Sequence, residues 1–296
     1  MKCFATFMVI AMVVLGTALT ASAQAPAHIW FAADAISGLT NGEAVATWPD
    51  SSPGGNDLTT TAGTPTYLTG VVNGQPVVDF ATADVKMWAT NHPSMNVTNW
   101  TFFTVLKVGD TVNNEVFFMR DDGNGTEYAF QAYASGGGNY AYVKERNDDA
   151  VAPGDYAACR AGTDSGLGWH VHTGWFDRSL FPNISCINIY RDGTLDIAGS
   201  IFHLTSGGPL NPVTSGDFHV GWNYPYTIDP RHFRGQVAEI AAIPYAASAQ
   251  DILDVNAYLG AKYGITVAGG GDAGNGYKIL VGAAVSATPG TLIYGK

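Results

Sequence analysis

The chain has 296 residues, 46% of them hydrophobic and 13% charged, which is enough apolar material for one large core in a globular protein. Fourteen Lys and Arg against 25 Asp and Glu leave a formal net charge of −11. That field repels phosphate backbones and anionic membranes, so nucleic acid is not an expected partner. Glycine at 36 residues and aromatics at 12% point to an all-β protein, because turns consume glycine and strands favour aromatic side chains.

Residues 1–23 read as a secretory signal peptide. Lys2 supplies the positive end, "FATFMVIAMVVLGTAL" the apolar stretch, and Ala21, Ser22 and Ala23 a small-residue cleavage site. No later run is long enough to span a bilayer, so the expectation is a product exported to the extracellular space or periplasm after cleavage near Ala23. Cys3 leaves with the leader. Cys159 and Cys186 remain as an even pair; an oxidising compartment would join them as a disulfide, and two buried thiols is the other reading.

Apolar segments then recur between Gly, Asn, Asp and Pro clusters. "HIWFAA", "PVVDF", "WTFFTVLKV", "EVFFMR", "EYAFQAYA", "YAYVKE", "GWHVHTGWF", "SCINIYRDG", "DFHVGW" and "GQVAEIAAI" read as strands of a sandwich or barrel. Trp88 and Trp100 are read as core.

The first oxygen-rich loop is "WPDSSPGGND". Asp50, Ser51, Asn56 and Asp57 offer oxygens to a calcium ion, the candidate cofactor, whereas Pro53-Gly54-Gly55 is what a tight reversal requires. No "GK[ST]" follows, so it is not an anion cradle. "RDDGNGTE" gathers Asp121 and Asp122 with Asn124 and Glu127, again either calcium ligands or a hairpin turn. "ERNDD" reads as a solvated loop. His170 and His172 in "WHVH" project to one strand face, a spacing metal sites use, but a third ligand would have to come from elsewhere. The loop "GWNYPYTIDPRHF" crowds Trp222, Asn223, Tyr224, Tyr226, Asp229, Arg231 and His232 between two late strands, a set able to stack on and hydrogen-bond a sugar.

A helical period starts only at "SAQDILDVNAYLGAKYG". Ser248 fits the N-cap and Asp251 the capping-box acid. Ile252, Val255, Leu259 and Tyr263 share a face, Lys262 sits in the last turn, and Gly264 supplies the stop. Residues 268–276 read as a Gly-rich linker, and 277–296 as a short tail shaped like a hairpin.

Together "IWFAADAISGLTNGEAVATWPDSSPGGNDLTT", "PTYLTGVVNGQPVVDF", "GWHVHTGWFD", "INIYRDGTLD", "HVGW" and "FRGQVAEIAAIPYAASAQDILDVNAYLGAKYGI" resemble the LamG-like jelly-roll domains of the concanavalin A-like lectin/glucanase superfamily. The resemblance covers about residues 27–267. It implies a two-sheet antiparallel jelly-roll sandwich closed by one short C-terminal helix, and it favours the turn reading of "WPDSSPGGND". The superfamily carries lectins, hydrolases, lyases, adhesion modules and spacers, so activity does not follow from it.

Catalytic patterns are not found. A retaining glycosidase needs two carboxylates about 5 to 5.5 Å apart, but "VAEIAA" offers Glu239 alone and "VVDF" Asp79 alone. "GTDSGLG" lacks a nucleophile elbow. The expectation is therefore a non-catalytic carbohydrate-binding or adhesion module with a polysaccharide or glycoconjugate partner. The rivals are a cell-surface assembly protein that self-associates through "YKILVGAAV", and a hydrolase or lyase with a dispersed site. Asn96, Asn99, Asn124 and Asn183 stand in N-x-S/T sequons.

Overall fold

The computed structural model describes residues 27–80, 85–109, 115–121, 127–135, 138–147, 155–181, 183–197, 199–203, 216–221 and 232–268. The leader (1–23) and nearly all of the linker and tail fall outside these residues.

In chain order the strands are β1 (Ile29–Ala32), β2 (Thr47–Trp48), β3 (Leu58–Ala62), β4 (Thr66–Val72), β5 (Gln75–Asp79) and β6 (Lys86–Ala89). Next come β7 (Trp100–Val108), β8 (Glu115–Asp121), β9 (Glu127–Ser135), β10 (Gly138–Asn147), β11 (Asp155–Arg160) and β12 (Trp169–Phe176). The last are β13 (Ile187–Arg191), β14 (Thr194–Leu195), β15 (Gly199–His203), β16 (Asp217–Val220) and β17 (Gly235–Ile243), followed by helix α1 (Ala249–Tyr263).

They form two sheets, antiparallel at every pairing. Sheet A has eight strands in the order β14-β13-β12-β7-β17-β5-β4, with β1 also on β17. Sheet B has nine, in the order β15-β11-β10-β9-β8-β16-β6-β3-β2.

Strand β7 shows why the sandwich forms. Trp100, Phe102 and Leu106 enter the space between the sheets, while Phe103 and Val105 point to the outer face of sheet A. Both faces are buried, so the strand reads as an almost unbroken apolar run instead of an alternating one. Across the core Phe102 meets Phe118 of sheet B edge-on at 4.8 Å, and Phe31 stacks on Phe218 at 6.0 Å. At Gly174 a Cβ would lie 2.7 Å from Val143 Cγ1, so the missing side chain sets how closely the sheets approach.

A second apolar layer lies outside sheet A. Ile252, Leu259 and Tyr263 of α1 cover Val77, Phe103, Val105 and Val171. The helix begins with a reciprocal Ser248–Asp251 capping box and ends at Gly264 with φ 67°. Buried Asn256 donates to Thr173 Oγ1 at 3.0 Å, and Glu239 accepts from Trp30 Nε1, Lys262 Nζ and Tyr263 OH, which fixes the helix over the sheet.

Two expectations are corrected. Trp100 is fully buried, but Trp88 is half-buried on the outer side of sheet B, because its neighbours Met87 and Ala89 are the residues that enter the core. Lys86 Nζ sits 4.7 Å from its ring centroid and the His219 ring 5.9 Å away. Cys159 and Cys186 are two buried thiols, not a disulfide. Both belong to the apolar core between the sheets, where each packs as a small hydrophobic residue, and burial pushes the Cys186 thiol up to about 12.

Candidate functional site

Two hairpins of sheet A carry the sequence signature of a two-residue turn with positive φ at both positions. Asn73-Gly74 (φ 48° and 77°) joins β4 to β5, and Asp192-Gly193 (φ 50° and 77°) joins β13 to β14. The chain leaving α1 is tied to both. Asn73 Nδ2 donates to Lys262 O at 3.1 Å, and Ala268 N donates to Asp192 O at 2.7 Å. Residues 264–268 thus pass from one hairpin to the other. Along them lies an open groove of about 570 Å³ whose lining includes Val72, Asn73, Trp169, His170, Asp192 and Ile265.

The polar end of the groove is built around Asp192. Its Oδ2 lies 2.7 Å from His170 Nδ1, and its Oδ1 accepts from Val171 N at 2.9 Å. Burial pushes the Asp192 carboxyl up, but the hydrogen bonds from His170 and Val171 outweigh it and the net direction is down. The carboxylate is therefore ionised and His170 Nδ1 is the donor. A Cβ at Gly168 would stand 3.2 Å from His170 Nε2. Behind this pair His172 is buried, its ring centroid 5.7 Å from that of His170, and burial first, then the His170 charge, lower it to about 3.

Trp169 is half-exposed and supplies the flat apolar surface. The groove lining thus combines an indole with the ionised Asp192 and the His170 bound to it, Trp169 and His170 leaving β12 on opposite faces at the strand's end. That set suits a ligand with an apolar face and a hydroxylated rim.

The residues expected from sequence distribute differently. Trp222, Asn223, Tyr224, Tyr226, Asp229 and Arg231 lie outside the described residues, and His232 is half-buried at the start of the segment leading into β17. In the "WPDSSPGGND" loop both oxygens of Asp50 accept from the loop's own donors and from Trp30 N. Asp50 Oδ1 accepts from Trp30 N and Ser52 N, and Oδ2 accepts from Ser52 Oγ, Asn56 N and Asn56 Nδ2. Asp57 Oδ1 accepts from Asp50 N, so the loop is a hydrogen-bonded turn. Asp121 ends β8, and Asp122 lies outside the described residues. Among the described residues no group of three or more His, Cys, Asp or Glu side chains is placed to hold a metal ion. His170 and His172 do share a strand face, but one is bound to Asp192 and the other is buried against Phe130. Asn73, Trp169 and Asp192 were missed by sequence reasoning; the signals for the two turn residues were the Asn-Gly and Asp-Gly pairs between strand patterns.

No helix among the described residues is long and apolar enough to cross a membrane. No protein-family model matches the chain. No curated protein matches its sequence. Solved structures do match. Domain 4 of AbnA, a GH43 extracellular arabinanase from Geobacillus stearothermophilus solved with arabinotriose, is similar at 12% identity and TM-score 0.52, over 73% of this chain and 100% of that one. The binding domain of Paraclostridial Mosquitocidal Protein 1 is similar at 10% identity and TM-score 0.52, over 79% of this chain and 52% of that one. Botulinum neurotoxin type C, whose cell entry depends on interaction with two ganglioside molecules, is similar at 12% and 0.50, over 75% and 51%. This chain thus spans about half the length of the two toxin chains. At these identities the likeness is one of fold: the chain is a two-sheet antiparallel β-sandwich with one C-terminal helix.

Proposed function

We propose that this protein is a secreted, non-catalytic glycan-binding module of the LamG-like kind, and that its ligand lies in the groove beside α1. The observation that carries this reading is the open groove lined by the half-exposed Trp169 together with His170 and Asp192, an aromatic side chain and hydrogen-bonding groups at one opening. The fold shared with an arabinotriose-bound domain supports the reading, and the apolar leader supports export. The non-catalytic part is supported by Glu239, the carboxylate a hydrolase would have used: it is 1% exposed and engaged by Trp30, Lys262 and Tyr263 beneath the helix.

Binding of the mature chain to a panel of soluble polysaccharides, read as retardation in affinity gels, tests the proposal. Retention by at least one glycan that Trp169→Ala abolishes is expected. Retention by none, or retention indifferent to Trp169, contradicts it.

A further inference from the structure

A single cross-strand row continues from Trp169 over the outer face of sheet A. Trp169 pairs with Lys107, Lys107 with Gln236, and Gln236 with Asp79. Alternation fixes where these side chains go. Leu106, Val237 and Val78 enter the core between the sheets, so Lys107, Gln236 and Asp79 project to the side that carries Trp169. Directly opposed residues hold their Cβ atoms about 5 Å apart, so the four side chains form one strip running from the groove towards β5. The neighbouring level of the sheet, Val77, Val105, Ala238 and Val171, belongs to the apolar layer under α1, against which Trp169 packs at the end of the strip.

The strip offers hydrogen-bonding groups. Lys107 brings an ammonium and Trp169 an indole N–H to adjacent positions of the row. Asp79 is half-buried, and burial pushes its carboxyl up against the lowering effects of a hydrogen bond from the Gln236 amide and of the Lys107 charge. Donors at Trp169, Lys107 and Gln236 therefore stand beside an acceptor at Asp79, a pattern that matches adjacent sugar hydroxyls.

Charge narrows the ligand. Within the strip Asp79 is matched by Lys107, so the strip has no excess of either sign. The chain as a whole carries −11, which opposes a polyanion at longer range. We propose that the strip Trp169–Lys107–Gln236–Asp79 extends the groove and that the ligand is an uncharged glycan chain laid across the strands, one sugar face on Trp169 and the next residues' hydroxyls on Lys107, Gln236 and Asp79. This rests on the glycan-binding reading of the groove.

The test compares neutral polysaccharides (arabinan, xylan, mixed-linkage glucan) with uronate polymers (polygalacturonate, alginate) at low and high salt, using the mature chain and its Gln236→Ala and Trp169→Ala variants. A neutral polymer should bind at least about tenfold more tightly than any uronate polymer, with an affinity that salt leaves unchanged. Gln236→Ala should weaken that binding about tenfold for long chains and little for a disaccharide, at an unchanged unfolding midpoint. Uronate binding as tight as neutral binding, or tighter, overturns the ligand class. Neutral binding lost in Trp169→Ala but unaffected by Gln236→Ala overturns the strip and leaves the groove standing. No binding to any polymer removes the glycan reading itself, and this inference with it.

Discussion

Lys262 Nζ lies 2.8 Å from Glu239 Oε2 beneath the C-terminal helix, with the glutamate side chain only 1% exposed. Burial alone would lower the lysine, but the Glu239 charge and hydrogen bond outweigh it and raise it. Tyr263 OH donates to the same oxygen at 2.6 Å. Removing the carboxylate charge leaves a largely buried ammonium with Asp34 as its remaining partner. Glu239→Gln is therefore expected to destabilise the fold by about 3 kcal/mol, read from the denaturant midpoint, and to leave glycan affinity unchanged. A variant as stable as the parent would show that the ion pair does not hold the helix.

The buried histidines predict an acid-labile fold. Burial lowers His28 to about 4, His172 to about 3 and His219 to about 4. In the unfolded chain each takes its proton near pH 6.5, so between about pH 6.5 and 4 the unfolded state binds more protons. Their contribution is complete above about pH 6.5 and is lost as pH falls towards 4 and below. The denaturant midpoint should drop between pH 7.5 and 5, and His172→Phe, which keeps a ring against Phe130, should flatten that slope. An equally steep slope in the variant would move the cause elsewhere.

Asp192 has two separable jobs, the turn and the charge. Its φ of 50° suits Asp or Asn and is strained for Ala. Asp192→Asn should keep the hairpin, changing stability by less than about 1 kcal/mol, yet weaken glycan binding about tenfold because His170 loses its ionised partner. Asp192→Ala should lose both. Equal affinity in the Asn variant would mean that the His170–Asp192 pair only supports the turn.

Gly174→Ala places a methyl 2.7 Å from Val143 Cγ1 and 3.4 Å from Trp100. The rigid inter-sheet core cannot absorb it without moving a strand, so a loss of about 2 kcal/mol is expected in equilibrium unfolding. A neutral substitution would show slack between the sheets.

Where one residue pattern fixes one geometry, the fold was readable from sequence. The helix followed from Ser248, Asp251 and Gly264, and the long strands β7, β12 and β17 from their apolar runs. Short or polar strands such as β2, β3 and β14 escaped, because Thr-rich or two-residue segments carry no period. The groove escaped for a different reason. Asn73, Trp169, Asp192 and Ile265 are far apart in the chain, and only the packing of the segment after α1 brings them together. The thiols could not be decided by counting, since an even number of cysteines says nothing of where their side chains sit.

The most direct test of the central claim is isothermal titration of the mature protein and of Trp169→Ala with a neutral oligosaccharide series. The groove account predicts saturable one-site binding that tightens with chain length in the parent and is lost in the variant at an unchanged unfolding temperature. Identical binding isotherms for the two proteins would contradict it and place the ligand on another face.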